Sequence, residues 1–282
     1  MDAIQKLELQ KIACRIRMGV IEGTFHAKSG HPGGSLSIAE DLAYLYWKEM
    51  KVDPQNPAWE DRDRLVLSKG HCAPALYAAL AIRGYFPEEE LKSLRHIGAM
   101  LQGHPDMKHI PGVDMSTGSL GQGISAACGM ALAGKISDKS YRVYTILGDG
   151  EIEEGQVWEA AMFAAHYKLG NLCAIVDNNG LQIDGPVDKV MSPYPIPEKF
   201  AAFGWHVIEV SDAHDFDQLE AAFAGARAVS GKPTVIVQKS VKGKGVSFME
   251  NQVSWHGSAP NAEQYETAMA ELKAAMAALD AE

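Results

Sequence analysis

The chain has 282 residues, 46% hydrophobic and 22% charged, enough for one large α/β domain with a sizeable core. A formal charge of −10 argues against nucleic acid or an anionic membrane as the main partner, so any anion must be held by local geometry. Cys14, Cys72, Cys128 and Cys173 are scattered without a CxxC pair, the N-terminal stretch mixes charges instead of carrying an apolar signal core, and no apolar run approaches membrane-spanning length. Reduced thiols in a cytoplasmic protein are the expectation.

Residues 4–27 read as a helix running into Ser29-Gly30-His31-Pro32-Gly33-Gly34-Ser35, too rich in glycine and proline to remain helical. Ser37-Ile38-Ala39-Glu40 reads as a capping box opening a helix whose apolar stripe includes Leu42, Leu45 and Tyr46. His31 is therefore expected in a tight loop between two helices. Arg64-Leu65-Val66-Leu67 reads as a strand emptying into Ser68-Lys69-Gly70-His71, just before an Ala-rich helix from near Pro74. A short amphipathic helix, Glu88 to Leu94, leads to Gly103-His104-Pro105-Asp106. The run Ser116-Thr117-Gly118-Ser119-Leu120-Gly121-Gln122-Gly123 then opens a helix over Ile124 to Ala133. Its glycines would admit a flat ring or a phosphate close to the backbone.

The most informative stretch runs from Ile146 to Gly185. An apolar strand ends in Gly148-Asp149-Gly150, and a helix with a Trp158, Ala161, Met162, Ala165 stripe follows. A second apolar run, Leu172 to Val176, then ends in Asp177-Asn178-Asn179. A right-handed crossover makes the two strands parallel and puts both polar ends at one sheet edge, where open parallel sheets bind ligands. Asp149 and Asn179 would then share one ion, with the Leu181 carbonyl as a third oxygen donor. Hard oxygen ligands suit Mg²⁺ or Ca²⁺, and so few of them leave room for water and a diphosphate, as Mg²⁺ usually requires.

Beyond Gly185 come a Pro-rich surface segment, a short helix containing Phe200, a strand at Trp205 to Val210, a helix from Asp217 to Val229 and a strand from Thr234 to Gln238. Lys239-Ser240-Val241-Lys242-Gly243-Lys244-Gly245 reads as a solvated loop, though one emerging at the ligand-binding edge. After Trp255-His256-Gly257, a last helix at about 261–280 carries Ala262, Tyr265, Met269, Leu272, Met276 and Leu279 on a stripe that this domain or a partner must cover. His31, His71, His104 and His256 all sit against Gly or Pro in loops, whereas His26, His96, His109, His166, His206 and His214 have ordinary contexts and are given no role. Clustered Cys/His spacing for zinc is missing. Imidazoles around an anionic diphosphate and a reacting carbonyl fit better, because they donate hydrogen bonds and move protons near neutral pH.

The GDG to NN unit resembles the thiamine-diphosphate-binding motif, and GDGxxxEGxxWEAxxxAxxxxLxNLxxxxDNN is similar to its transketolase version. SGHPGGS, SKGH, GHPD, STGSLGQG, KGKG and WHG extend the resemblance over residues 29–257 in the family's order. It implies a doubly wound, mainly parallel α/β sheet with helices on both faces, residues 1–282 forming a single diphosphate-binding domain. Thiamine diphosphate would be held through Mg²⁺ (or Ca²⁺) on Asp149, Asn179 and the Leu181 carbonyl, with Gly148 and Gly150 flanking the metal.

The family's roles further imply that His71 and His256 contact the diphosphate and that Gly118 and Leu120 lie along the cofactor rings. His31, His104 and His256 would line the substrate channel. Glu154 would join a carboxylate network at the subunit interface. The reaction implied is transfer of a two-carbon ketol unit from a ketose phosphate to an aldose phosphate, with the pentose phosphate pathway as the default setting. No pyrimidine-binding domain with its activating Glu follows in the sequence, so the resemblance implies the N-terminal subunit of a split transketolase, assembled as an α₂β₂ heterotetramer with a second polypeptide. The alternatives are the E1 α subunit of a 2-oxoacid dehydrogenase, a 1-deoxyxylulose-phosphate synthase, which normally keeps its other domains on the same chain, and a non-catalytic cofactor-binding scaffold.

Overall fold

The computed structural model describes residues 1–282. Three helices come first, α1 (Ala3–Ala27), α2 (Pro32–Leu36) and α3 (Ala39–Tyr44), followed by β1 (Arg64–Leu67), α4 (Ala73–Arg83) and α5 (Gln122–Ile136). The central unit is β2 (Val143–Gly148), α6 (Gly155–His166) and β3 (Leu172–Asn178), after which β4 (Leu181–Gln182) and β5 (Gly185–Pro186) form a small antiparallel hairpin. Then come α7 (Val187–Val190), α8 (Ile196–Ala202), β6 (His206–Val210), α9 (Phe216–Ala228), β7 (Thr234–Lys239) and α10 (Ala262–Asp280).

The main sheet has the order β1-β2-β3-β7-β6 with every neighbouring pair parallel. Its inner strands β2, β3 and β7 are nearly continuous apolar runs because both faces are covered. Successive side chains alternate between the two cores. Tyr144, Ile146, Cys173, Ile175 and Ile236 join residues of α1, α3, α4 and α9, whereas Val143, Leu147, Leu172, Val176, Val235 and Val237 join residues of α5, α6 and α8. The parallel arrangement brings the carboxyl ends of β1, β2, β3 and β7 to one edge, with Gly148 level with Asp177 and Asp177 level with Gln238. No helix is long and apolar enough to cross a membrane.

Several local expectations change. The HPGGSL segment is helical after all: Pro32 occupies the first turn of α2, where its missing N–H costs nothing and its fixed φ suits the helix. Ser37 and Glu40 form no capping box, since α3 starts after Ile38 without a side-chain cap and both polar groups are drawn into buried tertiary bonds. The inward face of α6 is Val157, Ala160, Ala161 and Ala164, while Met162 points outward. The 88–94 segment is a 3₁₀ turn over Glu88–Ser93. On α10, Tyr265, Met269, Leu272, Met276 and Leu279 pack on the core beside α1, with Tyr265 stacked on Phe25 at 4.2 Å, whereas Ala262 is exposed.

Candidate active site

At the exit of β2, Asp149 is 2% exposed, and its carboxylate accepts from Gly150 N at 2.9 Å and from Gly180 N at 2.5 Å. The second bond ties the GDG turn to the loop after β3. Asn179 there accepts from Leu181 N at 3.1 Å and donates to Asp177 at 2.9 Å. Asp149, Asn179 and Leu181 thus line one cleft at the sheet's carboxyl edge, together with Gly148, Gly150, Leu120, His71 and His256. Burial, and next the neighbouring Asp177, raise the Asp149 carboxyl to about 7. A buried carboxylate bonded by two backbone N–H groups and no ion pair fits a cation, and the carboxylate, amide and carbonyl oxygens are a hard donor set. The Leu181 carbonyl already faces a cation, the Lys242 ammonium at 3.3 Å.

Beneath the cleft, Lys69 and Asp177 form a buried ion pair at 2.6 Å. Asp177 also accepts from Ser37 at 2.8 Å and from the Ser240 hydroxyl, and Lys69 donates to the Gly34 carbonyl at 2.9 Å. Burial opposes both charges, yet Lys69 holds the Asp177 carboxyl below its ordinary range and Asp177 raises the Lys69 ammonium. Together these bonds join the ends of β1 and β3 to the C-terminal half of α2.

Glu151 does similar work beside it. Its buried carboxylate accepts from Ser68 Oγ at 2.5 Å and from Gly121 N and Gly148 N at 3.0 Å each, fastening the STGSLGQG loop to the GDG turn. At Gly70 a Cβ would lie 2.7 Å from the Gly118 nitrogen, so only glycine lets these two loops meet.

The four loop histidines converge. His71 stacks on His256 at 5.1 Å, His31 stands edge-on to both at 5.2 and 5.7 Å, and His104 lies 6.4 Å from His31. Gly118, at φ +152°, backs this group: a Cβ there would come within 3.0 Å of the His104 ring. Burial is the first cause that lowers all four imidazoles. His31 falls to about 4, with Arg95 the next cause; His256 falls to about 3, with Lys242 next; His71 and His104 are also lowered. They are neutral at pH 7. Lys242 Nζ lies 3.1 Å from His256 Nδ1, which makes that nitrogen the acceptor and leaves the proton on Nε2.

Four further groups to which the sequence assigns no role belong to the site. Lys242 is 2% exposed and reaches into the cleft from a loop expected to be solvated, whereas Lys239 on the same run is exposed. Lys69 and Glu151 line the cleft too. His214, given no role, is held by Glu40 at 3.0 Å and accepts from Val241 N at 3.0 Å, so it anchors the start of the Lys242 loop. The only signal for these was their position at strand ends. Glu154 is exposed at the N-cap of α6 beside Gly121, and it is Glu151 that faces the cleft.

A parallel α/β domain with an imidazole- and lysine-lined cleft at the carboxyl edge of its sheet is built to hold a small anionic ligand. A family model described as the transketolase thiamine diphosphate binding domain matches residues 9–277. The chain belongs to the transketolase family, as its N-terminal portion. It is 49% identical, over 95% of its own length and 98% of the relative's, to the 6-deoxy-6-sulfo-D-fructose transketolase subunit of Clostridium sp. (strain MSTE9). It is 40% identical to an apulose-4-phosphate transketolase subunit of Phocaeicola vulgatus, over 99% of this chain and 98% of that one. Among solved structures, transketolase from Leishmania mexicana superposes with a TM-score of 0.85 at 32% identity, covering 97% of this chain and 46% of that one. The chain therefore spans less than half of that transketolase, and family membership sets aside the 2-oxoacid dehydrogenase alternative.

Proposed function

We propose that residues 1–282 form a single diphosphate-binding domain that acts as the thiamine-diphosphate- and Mg²⁺-dependent subunit of a split transketolase. It would move a two-carbon ketol unit from a ketose phosphate to an aldose phosphate together with a separate pyrimidine-domain subunit, in an α₂β₂ assembly. The observation that carries the reading is the cleft itself, where the buried Asp149 carboxylate, the Asn179 and Leu181 oxygens, two buried ammonium groups and four imidazoles share one sheet edge. The separate partner is supported by two relatives named as subunits that match almost end to end.

In this reading Asp149, Asn179 and the Leu181 carbonyl hold Mg²⁺, with Gly148 and Gly150 leaving it room. Lys242, His71 and His256 bind the diphosphate, and Gly118 and Leu120 border the cofactor rings. Bound thiamine diphosphate supplies the carbanion chemistry of ketol transfer. His31, His104 and His256, neutral at pH 7, donate hydrogen bonds to sugar hydroxyls and to charge developing on the reacting carbonyl oxygen. Glu154 belongs to a carboxylate network with the partner subunit, which its exposure permits.

The test is ketol transfer to ribose 5-phosphate with thiamine diphosphate and Mg²⁺. Donors are xylulose 5-phosphate, 6-deoxy-6-sulfofructose and apulose 4-phosphate, the last two taken from the relatives' names. The chain is assayed alone and mixed with a pyrimidine-domain subunit. Activity only in the mixture is expected. Full activity of the chain alone would refute the partner requirement, and cofactor binding without turnover of any donor would favour a scaffold.

A further inference from the structure

Arg95 lies outside the cleft and belongs to none of the motifs, yet it touches the loops of two of the four histidines. It sits just past the Glu88–Ser93 turn with φ +62°, a left-handed conformation uncommon for a residue with a side chain. Its backbone N donates to Leu101 O at 2.9 Å, which closes the 95–101 loop. Arg95 Nη1 donates to Ser29 Oγ at 3.2 Å, two residues before His31. Nη2 donates to the Gly103 carbonyl at 3.1 Å, one residue before His104. The guanidinium lies against the Gly103 backbone so closely that a Cβ there would be 3.0 Å from Cζ. A planar fork with fixed donor directions can bridge two loops in this way, where a single ammonium on a flexible stem cannot.

We propose that Arg95 is a positioning residue that staples the His31 loop to the His104 loop and so sets the spacing of the two imidazoles. The charged groups facing His31 are Arg95 and Lys242, with the rings of His71, His104 and His256; facing His104 they are Arg95 and the His31 ring. His104 is also held by its own carbonyl, which accepts from Tyr77 OH at 2.8 Å, so one anchor of that loop survives loss of Arg95. A guanidinium at this place has a second effect, since its charge opposes protonation of the same two rings and of neither His71 nor His256.

The proposal deepens the ketol-transfer reading, because it assumes that His31 and His104 face substrate, but its test needs no turnover. Histidine ring resonances of the full chain are titrated by NMR for the wild type, Arg95→Gln and Arg95→Lys. In Arg95→Gln the His31 and His104 midpoints are expected to rise by half a pH unit or more and the contact between their rings to weaken, with His71 and His256 unmoved. In Arg95→Lys the midpoints stay low while the ring contact is still lost. Ser29→Ala, which removes one arm and keeps the charge, should disturb His31 alone and covers the case in which Arg95→Gln does not fold. Unmoved His31 and His104 signals in a folded Arg95→Gln, or all four histidines moving together, would overturn the proposal. So would an intact ring contact in Arg95→Lys. None of these outcomes depends on whether the chain transfers ketol groups.

Discussion

His31 and His256 are neutral at pH 7 first because they are buried, and only then because Arg95 and Lys242 stand near them. That order has a consequence for acid stability. Their folded-state values, about 4 and about 3, lie below the ordinary 6.5, so above pH 6.5 both rings are neutral in the folded and unfolded chains alike. As pH falls below 6.5 the unfolded chain takes up protons that the folded chain refuses, and stability is lost progressively toward pH 3 to 4. Partial exposure screens the effect, so the readout is a difference. Melting temperature is expected to fall less steeply between pH 7.5 and 5 in His256→Gln than in the wild type; parallel slopes would show that burial does not depress this imidazole. The four histidines were legible in the sequence because Gly and Pro on either side take them out of regular structure. Lys242 was not, since a lysine on a Gly-rich loop looks the same whether it turns out to solvent or in toward Leu181. Three acids in Glu151-Ile152-Glu153-Glu154 likewise look interchangeable until Ser68 and two backbone N–H groups select Glu151.

At the scale of elements, the strand–helix–strand unit was legible because its apolar runs are buried on both faces and end in polar turns. Helix α2 was not, because Gly33 and Gly34 read as breakers and only tertiary burial holds that turn together. What joins these pieces is the Lys69–Asp177 pair, invisible in sequence because its members are 108 residues apart. Removing one partner leaves a charge buried and uncompensated, which generally costs about 3–5 kcal/mol. Lys69→Met is expected to lose about that much in urea unfolding, partly offset because Ser37, Ser240 and Asn179 still donate to Asp177. Lys69→Met/Asp177→Asn should recover much of the loss. A single-variant cost below about 1 kcal/mol would mean that the three remaining donors suffice to hold the carboxylate.

For the whole molecule, the cleft sets local charge against global charge. A chain of formal charge −10 brings Lys242, buried rather than spread on the surface, to the sheet edge where Lys69 is already paired with Asp177, so an anionic ligand there meets a preorganised ammonium beside the imidazoles of His71 and His256. The same edge holds Asp149, which is bonded by two backbone N–H groups and makes no ion pair, so the diphosphate and the metal should each favour the other's binding. Thiamine diphosphate with Mg²⁺ is therefore expected to stabilise this chain by itself. At a hundredfold excess over the dissociation constant, linkage gives about 2.7 kcal/mol. At about 2–4 °C per kcal/mol for domains a little smaller than this one, whose lower end suits a chain of this size, that is a rise of roughly 5 °C in melting temperature. EDTA should abolish the rise, and so should Asp149→Asn, which keeps the shape of the side chain and removes its charge. A metal-independent rise would place the diphosphate on the lysines and histidines alone. No rise until a pyrimidine-domain subunit is added would mean that the cleft closes around the cofactor only at the interface between the two subunits.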